Sequence, residues 1–169
     1  MSTPVEIVAL VVSPVHAFEG RPQDGPRPDP SPVGQAEVEI RAGLGIVGDR
    51  YFGQTAHRNA AITVLDEASL EVFDPRPDPT VLRRNIVLRG YPVDTLAAGR
   101  GVAGQRFSLD SGFGAVEFQA YRPANPCAWM NAVIGDGAMK ASRGHGGVRT
   151  TPLTSGRLRL GPAVFDLLD

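Results

Sequence analysis

Apolar positions along this chain follow the period of strands far more than that of helices. Residues 4–12 (PVEIVALVV) are β-branched and end in the continuous apolar run Ile7 to Val12, which predicts a buried first strand. Residues 35–41 (QAEVEIR) set Ala36, Val38 and Ile40 against Gln35, Glu37 and Glu39, the alternation of a half-buried strand. Further strands are expected over 60–65 (AAITVL), 83–90 (RRNIVLRG), 146–153 (GGVRTTPL) and 156–168 (GRLRLGPAVFDLL). Residues 104–110 and 115–121 read as a hairpin turning at 111–114. Two segments read as short helices. One is 66–73 (DEASLEVF), where Asp66 suits the cap and Glu67 the first turn; the other is 125–134 (NPCAWMNAVI). Between them lie a glycine-dense loop over 43–53, a proline break at 74–79 and a longer stretch, 20–34, with five prolines and three glycines. That stretch cannot form a core element and reads as an extended surface loop.

Composition agrees with this pattern. The 20 glycines and 15 prolines disfavour a helical bundle, and 169 residues suffice for a single domain, 1–169, with a real core. The expected class is mainly β, a barrel with two or three short helices. A net charge of −1 gives no reason to expect nucleic acid as a partner. The six-residue apolar run is too short for a membrane span, and the N-terminus lacks the pattern of a signal peptide, so a cytoplasmic protein is expected. One cysteine excludes an intrachain disulfide and any cysteine-only zinc site. Of the seventeen basic residues only Lys140 is lysine, which leaves sixteen arginines. Base composition of the genome explains such a bias, and so does recognition of phosphate by planar guanidinium groups.

The candidate chemistry centres on Cys127 in the sequence Arg122-Pro123-Ala124-Asn125-Pro126-Cys127-Ala128-Trp129. If Asn125 caps a helix and Pro126 opens it, Cys127 falls in the first turn, where a thiolate is favoured. The competing reading is a buried cysteine serving as a small apolar residue. Arg83 and Asn85 would share one face of a strand and could hold a phosphate and a polar ring, or else form a solvated edge. Residues 140–149 (KASRGHGGVR) combine glycines that let backbone N–H groups approach an anion with donors at Lys140, Ser142, Arg143 and Arg149. A plain turn with surface charge competes with that reading. Asp49 and Arg50, in the GDRYFG turn, read as residues that fix their own loop. His16, His57 and His145 show no metal-ligand spacing, and P-loop, GxGxxG and nucleophile-elbow motifs are lacking.

Taken in order, GLGIVGDRYFG, AAITVLDEASLEVF, RRNIVLRG, NPCAWM and RGHGGVRTTPLTSGRLRLG resemble the MOSC domain family, the C-terminal domain of molybdenum cofactor sulfurases, from about residue 35 to 162. The resemblance implies a MOSC-type β-barrel similar to the barrel domain of pyruvate kinase, and an essential cysteine matching Cys127. In the amidoxime-reducing branch that cysteine ligates molybdenum, and residues matching Arg83, Asn85 and Asn125 lie near the pterin. Asn125 and Pro126 stand where that branch has serine and arginine, and resemble the small standalone members more closely. Three expectations follow. The first is molybdenum cofactor (molybdopterin) bound through Cys127, with Arg83, Asn85, Asn125, Arg143 and Arg149 around the pterin. It would serve reduction of N-hydroxylated small-molecule substrates, with an external electron donor, or sulfur transfer to the cofactor. The second is a persulfide carrier fed by a cysteine desulfurase, with the pyridoxal phosphate on that partner and not on this chain. The third is a non-catalytic binding module in which Cys127 merely packs.

Overall fold

A computed structural model describes residues 1–169. It contains ten strands: β1 (Ser2–Leu10), β2 (Glu37–Arg41), β3 (Gly45–Ile46), β4 (Ile62–Asp66), β5 (Ile86–Arg89), β6 (Arg106–Asp110), β7 (Val116–Pro123), β8 (Val148–Pro152), β9 (Gly156–Arg159) and β10 (Gly161–Leu168). Seven of them close a barrel in the order β1-β10-β6-β7-β8-β4-β5, with β5 returning to pair β1. Every pairing in it is antiparallel except β4 with β5. The remaining strands form a small sheet, β3-β2-β9. Helices are few and short: α1 (Trp129–Val133), α2 (Ala138–Ala141) and four 3-10 segments. The fold is thus mainly β, as the alternating pattern requires.

Local chemistry accounts for several boundaries. The parallel step from β4 to β5 needs a crossover, and it begins with the 3-10 turn Glu67–Val72, which Asp66 caps by accepting the Ala68 N–H at 3.0 Å. The strand expected over 83–90 starts only at Ile86, because Arg83 takes a left-handed backbone (φ 56°) that no strand accommodates. The segment 156–168 is two strands instead of one. β9 joins the small sheet, the chain turns at Gly161 (φ 106°), and β10 enters the barrel.

The barrel is filled by alternate residues. Phe107 lies 5.1 Å from Phe118 and 5.3 Å from Phe165 in one stack, surrounded by Ile7, Val64, Ile86 and Val148. Each such side chain contributes about 1.5–3 kcal/mol by leaving water. Leu65 and Val87 point the other way into a second apolar cluster with Leu70, Phe73, Trp129 and Met130. β4 and β5 are therefore buried on both faces, which explains their unbroken apolar runs. That second cluster holds α1 against the barrel wall and fixes the loop that carries Cys127.

Candidate functional site

Cys127 lies in the loop between β7 and α1, and it is exposed. The expected helix over 125–134 begins later than its sequence implies. α1 starts at Trp129 behind Ala128, with no side-chain cap, and Cys127 precedes it, its carbonyl accepting the Met130 N–H at 3.0 Å. Asn125 is therefore not a cap. It lines, together with Cys127, a cavity of about 210 Å³. Cys127 is not the small core residue of the competing reading.

Four arginines reach this cavity: Arg50, Arg83, Arg84 and Arg149. Two of them are neutralised. Arg50 pairs with buried Asp49 at 3.2 Å and lies 4.6 Å over the Tyr51 ring. Asp49 also accepts the Ser13 and Tyr51 backbone N–H groups, each at 3.3 Å, so this turn does fix itself. Arg83 donates to both oxygens of Asp29 (2.7 and 2.9 Å) and to the Val15 carbonyl (3.0 Å), while the Ser13 hydroxyl donates to Asp29. Asp29 comes from the proline-rich loop, which thus straps over the site. Phe18, just before that loop, stacks on Trp129 at 5.4 Å and forms the apolar wall.

Arg84 and Arg149 form no ion pair with a carboxylate. Arg84 makes one long hydrogen bond, to the Ala124 carbonyl at 3.4 Å, and its buried Nε–H has no partner. Burial lowers its pKa to about 10, and Arg149 pushes the same way, against the opposing charges of Cys127 and Tyr51. The Arg149 pKa is lowered as well, first by burial and then by Arg122. Both remain cations at neutral pH. Desolvated cations without a counter-charge are costly, and an arriving anion removes that cost.

The other sequence-derived site residues are dispersed. Asn85, expected to face a ligand beside Arg83, is 1% exposed and stitches the barrel seam. Its Oδ1 accepts the Thr63 N–H and its Nδ2 donates to the Val11 carbonyl, both at 3.0 Å. The shared strand face does not exist, because the strand begins after these residues. Arg143 is exposed and does not line the cavity. The glycine loop 144–147 approaches protein and not an anion. The Gly147 N–H donates to Asp94 at 2.9 Å, and a Cβ on Gly146 would stand 1.8 Å from the Ala124 carbonyl oxygen. The Ser142 hydroxyl donates to the Ala138 carbonyl of its own helix. The residues that sequence reading missed are Arg84, which was not among the candidates, and the ring cluster of His16, Tyr51 and His57, with centroids 4.8–6.4 Å apart. The adjacent Arg83-Arg84 pair was a signal for the first; nothing in the spacing of the histidines signalled the second. No group of three or more His, Cys, Asp or Glu side chains is disposed to hold a metal ion, and no helix is long and apolar enough to cross a membrane.

No family model matches the chain, and no curated protein matches it in sequence. Solved structures do share its fold. The YUAD protein from Bacillus subtilis superposes with a TM-score of 0.71 at 14% identity, covering 98% of this chain and 96% of that one. YiiM from Geobacillus stearothermophilus gives 0.61 at 16% identity (98% and 75%), and a hypothetical protein gives 0.58 at 17% identity (100% and 69%). At such identities the likeness is one of fold alone, and that fold agrees with the barrel that the MOSC resemblance implies.

Proposed function

We propose that this MOSC-type chain binds a molybdenum cofactor, with Cys127 as the protein's ligand to the metal and Arg84 and Arg149 holding the pterin phosphate. The observation that supports this most is the sharing of one cavity by an exposed thiol and two arginines without carboxylate partners, one of them with an orphaned buried N–H. The donor set fits the group. A thiolate suits a soft-leaning metal, and guanidinium groups suit a phosphate. With no other protein ligands clustered nearby, the remaining donors to the metal would come from the cofactor. When bound, the cofactor supplies two-electron metal chemistry that thiol and guanidinium groups lack. The chain's own residues bind and orient: Arg50 and Tyr51 form one wall, Phe18 and Trp129 exclude water from another, and Asn125 offers an amide beside the thiol. Reduction of an N-hydroxylated compound, with electrons from a partner, is the activity we assign; sulfur transfer to the cofactor uses the same residues.

Purification from a cofactor-competent host, followed by metal analysis and mass spectrometry of released pterin, tests this reading. Wild type should carry molybdenum and pterin, and Cys127→Ser should lose the metal. Wild type free of both would end the proposal. The exposure of Cys127 also favours a second reading, the persulfide carrier. In it the terminal sulfur of a desulfurase persulfide moves to the Cys127 thiolate, the desulfurase cysteine leaves as a thiolate, and the proton is retained on the transferred sulfur. The adduct adds about 32 Da at Cys127; no adduct under conditions that label a known acceptor excludes it.

A further inference from the structure

Two arginines of the thiol cavity are held by carboxylates, and the two holds differ in kind. Asp49, the partner of Arg50, is buried in the same turn and fixed there by the Ser13 and Tyr51 N–H groups. Asp29, the partner of Arg83, arrives on the proline-rich strap, and its side chain is 22% exposed. The strap backbone is tied at Arg27, whose N–H donates to the Ala17 carbonyl at 2.9 Å, and at Val33, whose carbonyl accepts the Val12 N–H at 3.0 Å. Between these ties, Pro28, Asp29, Pro30 and Ser31 make no backbone hydrogen bond within the chain. Three prolines in 28–32 stiffen the span. A hollow of about 360 Å³, bounded by Pro28, Val81 and Val133, stands beneath it in place of close packing. The polar hold on the middle of the strap is therefore the Asp29 carboxylate alone, on Arg83 and the Ser13 hydroxyl. Arg83 has other anchors. Its Nη2 donates to the Val15 carbonyl at 3.0 Å, its backbone N–H donates to the Thr80 carbonyl at 3.0 Å, and its guanidinium lies 5.7 Å from the Phe18 ring centroid.

We propose that the strap is an autoinhibitory latch: the Asp29 carboxylate occupies the Arg83 fork as an internal anion, and an incoming phosphate group displaces it. The exchange conserves charge. Arg83 gives up one oxyanion and takes another, while Asp29 moves into water, where a carboxylate is well solvated. Without either anion, Arg83 would be a desolvated, unmatched cation, so release of the strap and arrival of the phosphate are coupled. The closed latch lowers the apparent affinity of the cavity in proportion to the fraction of molecules that are open. Asp49 performs no such exchange, because the buried N–H groups that bind it would lose their acceptor. The proposal rests on the reading of Arg84 and Arg149 as the first phosphate contacts, and adds Arg83 as a third that becomes available when the strap opens.

Calorimetric titration of the full chain with inorganic phosphate is the test. Asp29→Asn and Asp29→Ala should bind phosphate about five- to thirtyfold more tightly than wild type, the factor by which the closed latch reduces affinity. In an Arg83→Gln background Asp29→Asn should bring no gain. In wild type the Ser31 amide resonance, followed by NMR, should move toward its position in Asp29→Ala as phosphate is added. Equal or weaker binding by the Asp29 variants overturns the latch. So does a gain that survives in the Arg83→Gln background, which would be a through-space effect of the lost charge, and so does a Ser31 resonance indifferent to phosphate. Metal and pterin analysis of the same preparations separates the two readings. A protein that carries the cofactor yet shows no gain in Asp29→Asn loses only the latch. One that lacks the cofactor yet gains phosphate affinity through Arg83 keeps the latch and refutes only the cofactor reading.

Discussion

Arginine stands at both ends of β5, and the surroundings make the two ends opposites. At the exit, Arg89 donates to both oxygens of Glu67 (2.5 and 3.1 Å) and to Glu6 (2.6 Å), and Arg76 reaches Glu67 at 2.6 Å and Glu71 at 2.5 Å. Hydrogen bonds from Arg89, aided by its charge and that of Arg76, hold the Glu67 carboxyl below its usual range in spite of burial. At the entry, Arg84 sits in the barrel wall with an unpartnered Nε–H and another arginine for a neighbour. An arginine ringed by carboxylates ties elements together. One left without them keeps an unmatched charge, the feature on which the proposed phosphate site rests. A net charge of −1 conceals this, because the balance is local.

Three substitutions probe the difference, and the largest effect belongs to the residue between the two ends. Removing the Asn85 side chain (Asn85→Ala) orphans two buried backbone groups, the Thr63 N–H and the Val11 carbonyl, and should cost roughly 2–5 kcal/mol in urea unfolding. A change within about 0.5 kcal/mol, the usual scatter of a surface substitution, would mean that the seam does not depend on it. Next comes Arg84→Met. Phosphate affinity should fall about ten- to hundredfold, the worth of one charge-assisted contact, while stability holds or rises because a desolvated, unpaired cation is gone. Glu67→Gln should do the reverse, lowering stability by about 1.5–3 kcal/mol with phosphate binding intact. If both variants shifted stability in the same direction, the contrast between the ends of β5 would be broken.

The barrel was readable in the sequence because its causes are local. Alternation at 35–41, apolar runs at 4–12 and 60–65, and the Asp66 cap each act within a few residues of where they are written. The site was readable only in part. Cys127 announces itself by being the single cysteine, and Arg149 by closing the glycine-rich run 140–149 with a donor. Arg83 lines the cavity as expected, but Arg84 joins it there and Asn85 does not, because the left-handed backbone at Arg83 breaks the strand alternation expected over 83–90. What separates Arg83 from Arg84 is Asp29, more than fifty residues away in sequence, and no periodicity carries that information. His16 and His57 meet at Tyr51 for the same reason: long-range closure of the barrel brings them together.

Asp29 offers the smallest effect and the most selective one. Its carboxyl pKa is lowered, chiefly by the hydrogen bonds from Arg83, with the Ser13 hydroxyl helping and burial opposing. A carboxyl whose folded pKa lies below its unfolded value stabilises the protein fully above the unfolded value, about 3.9. That contribution fades as pH falls through the lower, folded value. Asp29→Asn keeps the shape and removes the charge, so at pH 7 it should cost about 1–2 kcal/mol, discounted for the partial exposure of the pair. The gap between variant and wild type should stay constant from pH 7 to about 4.5 and narrow as the pH falls below the unfolded value toward the lowered, folded one. The Glu67 carboxyl is also held low, but it is common to both proteins, so it cancels in the difference. Urea unfolding at pH 7, 4 and 2.5 reads this directly. A gap as wide at pH 2.5 as at pH 7 would assign the strap to packing, through Phe18 on Trp129, and not to the Asp29 charge, and Arg83 would then differ from Arg84 by position alone.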